Sequence, residues 1–167
     1  CMDYMFMTQK PNEDELMHPI LVIKERITDA VWALSVVRNG TFKNRIVKQV
    51  VNIINSIGSP KVIIKSDQEP AIKKLLQEVK RDLGVDIALE ESPVGESASN
   101  GRVENTIRRV QGQSRTIKLS TQYRYKRKIP TDHPSMPWML RHASETITRN
   151  QVAVSYTHLT LPTNRCV

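Results

Sequence analysis

Apolar positions along the chain follow two periods, one of two residues and one near 3.6, and the switches between them mark the elements. Asp3-Tyr-Met-Phe-Met7 is a short apolar and aromatic run with no lead-in, as if a strand had been cut just upstream. A polar, Pro-containing connection follows. Ile20 to Lys24 and Ala30 to Val37 are β-rich and flank a polar turn around Glu25 to Asp29, which predicts an antiparallel hairpin. From Thr41 to Ile57 the period changes: Ile46, Val50, Ile53, Ile54 and Ile57 share one helical face, and Gly58 with Pro60 ends it. Lys61 to Lys65 is a compact apolar strand. Pro70 suits the first turn of a second helix, whose inward face is Ile72, Leu75, Leu76 and Val79 and which stops near Gly84. Val85, Ile87 and Leu89 alternate as another strand. A strand, helix, strand unit of this length predicts a parallel pair with a right-handed crossover.

The order is therefore three strands, helix, strand, helix, strand, loop, long helix, final helix. It predicts an α/β fold: a mixed five-stranded sheet, three antiparallel strands and then two parallel ones, flanked by helices. The loop Ser92 to Gly101 holds two glycines and three serines, so it is expected to be mobile, with Asn100 as N-cap of the next helix. That helix is expected from Gly101 to about Lys118. Val103, Ile107, Val110 and Ile117 form its inward stripe, and Glu104, Arg108, Gln111 and Arg115 form another roughly a quarter turn away. Trp138, Ala143 and Ile147 seed a closing helix to about Asn150, with Trp138 expected in the core.

At 167 residues, 39% apolar and 25% charged, the chain has ordinary globular composition and about the length of one domain. Its net charge of +8 is unevenly placed. Residues 1–100 hold 13 Lys/Arg against 14 Asp/Glu, whereas residues 101–150 hold 11 against 3. A one-sided basic excess suits a polyanion partner; a solvated basic face is the other explanation. The two cysteines, Cys1 and Cys166, form no CxxC, and the four histidines lack zinc-site spacing with them. The sequence has no run of about 18 apolar residues and no signal-peptide pattern, which points to a soluble, intracellular protein. Tyr123 to Lys128, YRYKRK, interleaves aromatic and basic residues and could follow a phosphate backbone or be a solvated loop. Residues 151–167 read as a tail outside the domain, and Ser155 to Val167 resemble the translation of a sequencing-adaptor read-through.

Three carboxylates stand in a suggestive context. Asp3 is on the first strand, Asp67 ends an apolar strand, and Glu104 lies early in a basic helix, with 36 residues separating the last two. Phosphodiester chemistry needs a polarised phosphate, an activated oxygen nucleophile and a stabilised leaving oxygen. Two Mg²⁺ ions about 3.5–4 Å apart supply all three when carboxylates from different elements converge on them. The alternative for Glu104 is a surface pair with Arg108, worth a few tenths of a kcal/mol. Glu69 and Glu96 rank lower, because Glu69 begins a helix, where an acid is favoured anyway, and Glu96 lies in the loop.

From Asp3 to about Asn150 the chain resembles the catalytic core of retroviral-type integrases, especially those of long-terminal-repeat retrotransposons. The matching pieces are MDYMFM, IIKSDQEPA, SPVGESASNGRVENTIRRVQGQ and PWMLRHASETITRN. The resemblance implies a ribonuclease-H-like fold over residues 1–150, truncated at its N-terminal edge, and an acidic triad of Asp3, Asp67 and Glu104. It implies two Mg²⁺ or Mn²⁺ ions, one shared by Asp3 and Asp67 and the other held by Asp3 and Glu104. The reaction implied is trimming of element 3′ ends by water, then attack of the freed 3′-hydroxyl on target DNA. Arg102, Arg108, Gln111, Arg115 and Lys118 would face that DNA, while Gly95, Ser97, Asn100 and Gly101 would belong to a flexible active-site loop. Pairing into a homodimer or higher oligomer through the core is implied too, and a nuclear or virus-like-particle location in a eukaryotic host. The interval of 36 residues is one longer than the family's usual 35, and its zinc and downstream DNA-binding domains are not in this sequence. Two other readings stay open: a decayed retroelement core that binds DNA without chemistry, and another DDE transposase or nuclease of the same fold.

Overall fold

Alternating side chains make the first three strands, and the strand ladders bear out the predicted hairpin. The computed structural model describes residues 1–7, 19–36, 43–66, 69–83, 86–91 and 97–150. In it β1 spans Met2–Met5, β2 Ile20–Lys24 and β3 Val31–Ser35. β1 and β2 are antiparallel with Asp3 opposite Val22, and β2 and β3 are antiparallel with Val22 opposite Ala33. β3 stops at Ser35, shorter than the pattern to Val37, because its partner β2 begins opposite at Ile20. In the turn between them the amides of Ile27 and Thr28 donate to the Glu25 carboxylate. Burial pushes the Glu25 carboxyl up, but bonds from the Thr28 hydroxyl and the Ile27, Thr28 and Arg26 amides outweigh it and hold the group below its ordinary value. Asp29 takes the left-handed conformation that an Asp tolerates, with φ 59°, and pairs with Lys24 at 3.0 Å.

Next come α1 (Lys43–Ile57), β4 (Lys61–Ser66), α2 (Pro70–Asp82), β5 (Asp86–Glu91), α3 (Ser97–Tyr125) and α4 (Met136–Arg149). The sheet order is β3-β2-β1-β4-β5. β4 and β5 are parallel from Lys61 opposite Asp86 to Ser66 opposite Glu91, and β1 meets β4 in parallel with Met2 opposite Ser66. The expected mixed five-stranded sheet is the one observed.

Each face of the sheet carries its own core. On one side Met2, Leu21, Ile23, Ile64 and Ile87 meet Val50 and Ile54 of α1 and the whole predicted face of α2, Ile72, Leu75, Leu76 and Val79. On the other side Met5, Ile20, Val22, Val31 and Ala33 meet Val110 of α3 and Leu140 and Ile147 of α4. Each Val, Leu, Ile or Met among them contributes about 1.5–3 kcal/mol by leaving water. α4 is also tied to the edge strand, where the Thr148 hydroxyl accepts from the Val31 amide at 2.9 Å. Over β4 and β5 this second face is open: Ile63 is 64% exposed, and Ala88 and Glu90 are exposed beside it.

Two expectations need correction. α3 starts at Ser97 and ends at Tyr125, so Asn100 and Gly101 lie inside the helix, Asn100 is not its N-cap, and Tyr123 to Tyr125 are helical. The reason is that a formed helix propagates at little cost per residue. Beyond Lys118 the Thr121 hydroxyl donates to the Ile117 carbonyl, as a threonine does on a formed helix. Second, Trp138 is 60% exposed and stacks on His142 with ring centroids 5.2 Å apart. The inward line of α4 is Met136, Met139, Leu140, Ala143 and Ile147, and Trp138 falls off it. Among the described residues no helix is long and apolar enough to cross a membrane.

Candidate active site

The pleat sets which way Asp3 points. Met2 and Tyr4 pack into the core on the α1 and α2 side, Met5 and Met7 into the core on the α3 and α4 side, and strict alternation puts Asp3 with Met5. Its side chain is half-buried, and Oδ1 accepts from the Tyr4 amide at 2.8 Å. In β4 the same alternation turns Val62, Ile64 and Ser66 toward the α1 and α2 side. The parallel register reaches Ser66 opposite Met2, so each strand is described up to or past the residue before its acid. Asp67 itself lies outside the described residues, as do Gly95 and Glu96.

α3 crosses the face on which Asp3 lies. Val103 and Val110 are buried, Ile107 and Met7 both pack against the cluster that holds Met5 and Val110, and the Gln111 side-chain Nε2 donates to the Phe6 carbonyl at 3.1 Å, just past the end of β1. Gln111 thus positions the helix on the strand. At 100° per residue Glu104, Arg108, Gln111, Arg115 and Lys118 lie within about 40° of one line along the helix. Glu104, Arg102, Arg108 and Arg115 are exposed, and Lys118 is half-buried. The Glu104–Arg108 surface pair does not form, and Glu104 has no ion-pair partner among the described residues. The structure therefore brings Asp3 and the helix of Glu104 to one side of the sheet.

Among the described residues no three His, Cys, Asp or Glu side chains gather as a cation site. Glu69 precedes α2, and its charge, after burial, raises the pKa of Tyr4, whose ring packs on the sheet face opposite Asp3. Sequence reasoning missed Thr106 and Ser114, which are buried in the contact face of α3. A spacing of three or four from Val103 and Val110 was the available signal. Two grooves, of about 370 and 310 Å³, run along β3 between α1 and α4, and no candidate carboxylate lines either.

With this geometry the chain superposes on a chain of the simian T-cell lymphotropic virus intasome, solved by cryo-EM in complex with the PP2A regulatory subunit B56 gamma. The TM-score is 0.64 at 17% identity over 91% of this chain. The fold is ribonuclease-H-like. Its sheet has three antiparallel strands and two parallel ones, with helices on both faces. The match spans about half, 48%, of the intasome chain. No protein-family model matches the chain, and no curated protein does.

Proposed function

We propose that the chain is the core of a retroelement integrase, acting on DNA ends through Asp3, Asp67 and Glu104. The observation that carries this reading is the parallel pairing of Met2 with Ser66, on a sheet whose α3-facing side holds Asp3. By chain connectivity Asp67 is one Cα step, about 3.8 Å, beyond Ser66. Carboxylate oxygens are the donors that Mg²⁺ and Mn²⁺ take. The donor chemistry fits, and Asp3, Asp67 and Glu104 would hold two such ions. When bound, they supply polarisation of the scissile phosphate and an activated oxygen nucleophile.

The remaining work belongs to the chain. Gln111 fixes α3 against the end of β1, which sets where Glu104 stands relative to Asp3. Arg108 and Arg115 would meet phosphates along the exposed side of that helix, with Lys118 at its inner margin and Arg102 exposed on another face near its start. Pairing of two copies through the core belongs to the same reading. Among the described residues β3 is an edge strand, and the exposed Trp138 lines a groove with it; that surface is a candidate for such pairing.

The test is Mg²⁺-dependent nicking of a labelled duplex by the full chain and by its Asp3→Asn and Glu104→Gln variants. Each variant is expected to lose at least about 100-fold in rate, beyond what outer-shell changes cost, while still binding DNA. Nicking that persists in Asp3→Asn would remove the carboxylates from the mechanism.

A further inference from the structure

Between Asn105 and Thr131 the chain has eight Lys or Arg and no Asp or Glu. Four of them, Arg124, Lys126, Arg127 and Lys128, crowd into the foot of α3 and the turn after it, all exposed. None has an ion-pair partner among the described residues. Tyr123 and Tyr125 beside them are 77% and 68% exposed.

The segment has a defined shape. Lys126 turns the chain out of the helix with φ 52°, and its ammonium sits 3.9 Å from the centroid of the Tyr123 ring. Immediately after the basic run, the Ile129 backbone amide donates to Gln122 Oε1 at 2.9 Å, which closes the turn back on the helix. Cations near a helix C-terminus offset its dipole, and that explains Arg124 in the last turn. It does not explain three more cations beyond the end, nor two tyrosines held in solvent. Clustered guanidinium and ammonium groups with exposed phenols are what contact to phosphate and sugar requires.

We infer that this elbow, residues 123–128, is a second DNA contact that grips the backbone of a duplex far from the carboxylates. Twenty residues of helix separate Arg124 from Glu104, about 30 Å, or roughly nine base pairs at 3.4 Å each. Tyr125 lies about 60° from the line through Glu104 and Lys118 and Arg124 about 160° from it, so a duplex along that line meets the elbow at Tyr125 and the turn Lys126 to Lys128, with Arg124 on the far side of the helix. The inference shares with the proposed function only the premise that the partner is DNA.

The experiment is fluorescence anisotropy of the full chain with a labelled 24-base-pair duplex, titrated between 50 and 200 mM salt. It compares the parent with a variant combining Arg124→Ala, Lys126→Ala, Arg127→Ala and Lys128→Ala. A second variant, carrying Arg124→Lys and Arg127→Lys, keeps the charge. The quadruple variant is expected to flatten the slope of log K against log salt by about 2.7, near 0.9 for each of Lys126, Arg127 and Lys128, and the charge-keeping variant to retain it. Circular dichroism confirms the fold of each. An unchanged slope overturns the inference, as does an equal effect on binding to polyglutamate or to phosphatidylserine vesicles. The two readings fail separately. A lost slope with nicking indifferent to Asp3→Asn refutes the catalytic one alone, and an unchanged slope with Asp3-dependent nicking refutes the elbow alone.

Discussion

Ser114 is fully buried in α3, and its hydroxyl oxygen has no hydrogen-bond partner among the described residues. A buried unpaired hydroxyl costs about 1–3 kcal/mol, so Ser114→Ala is expected to be neutral or to stabilise by about 1 kcal/mol in urea unfolding. Destabilisation by more than that would show the hydroxyl engaged. The same residue marks where the pattern of the sequence misleads. Val103, Thr106, Val110, Ser114 and Ile117 recur every three or four positions, but two of the five are polar by type and dropped out of the apolar stripe. Trp138 misled in the other direction, since its size suggested the core while its phase on α4 puts it outside.

At the scale of elements, α2 was fully legible because all four of its inward residues are aliphatic and Pro70 marks its start. α3 was legible only in its middle. Its ends are written in Ser, Ala, Thr and basic residues, which carry no apolar period, and helix propagation from the packed centre decides them. The exposed Arg108 and Arg115 are candidates for phosphate contact on that centre. Arg108→Ala with Arg115→Ala is expected to reduce the salt slope of duplex binding by about 2, while Gln111, spent on Phe6, would not contribute. An undiminished slope would make this stripe a solvated face.

For the whole molecule, the two cores share one sheet, so both faces are expected to unfold together. Leu76→Ala on one face and Leu140→Ala on the other should each lower stability by about 2–5 kcal/mol and shift a single urea transition. Two separate transitions would show that the faces fold independently. The order of elements and the parallel β4–β5 pair followed from the sequence because strand, helix, strand units allow few arrangements. That β1 lies beside β4, and with it the meeting of Met2 and Ser66, followed only from the converging carboxylates and the family resemblance, not from any period. That depends on contacts between segments some sixty residues apart, which no local period encodes.

The absence of any acid from Asn105 to Thr131 gives α3 a polarity of its own. One negative charge stands near its sheet-crossing end, and the positive ones accumulate toward its foot, so the rod is an electrostatic ramp. If the partner is DNA, as proposed, such a ramp would attract it most steeply at the foot and tether it there before any part of it reached Glu104.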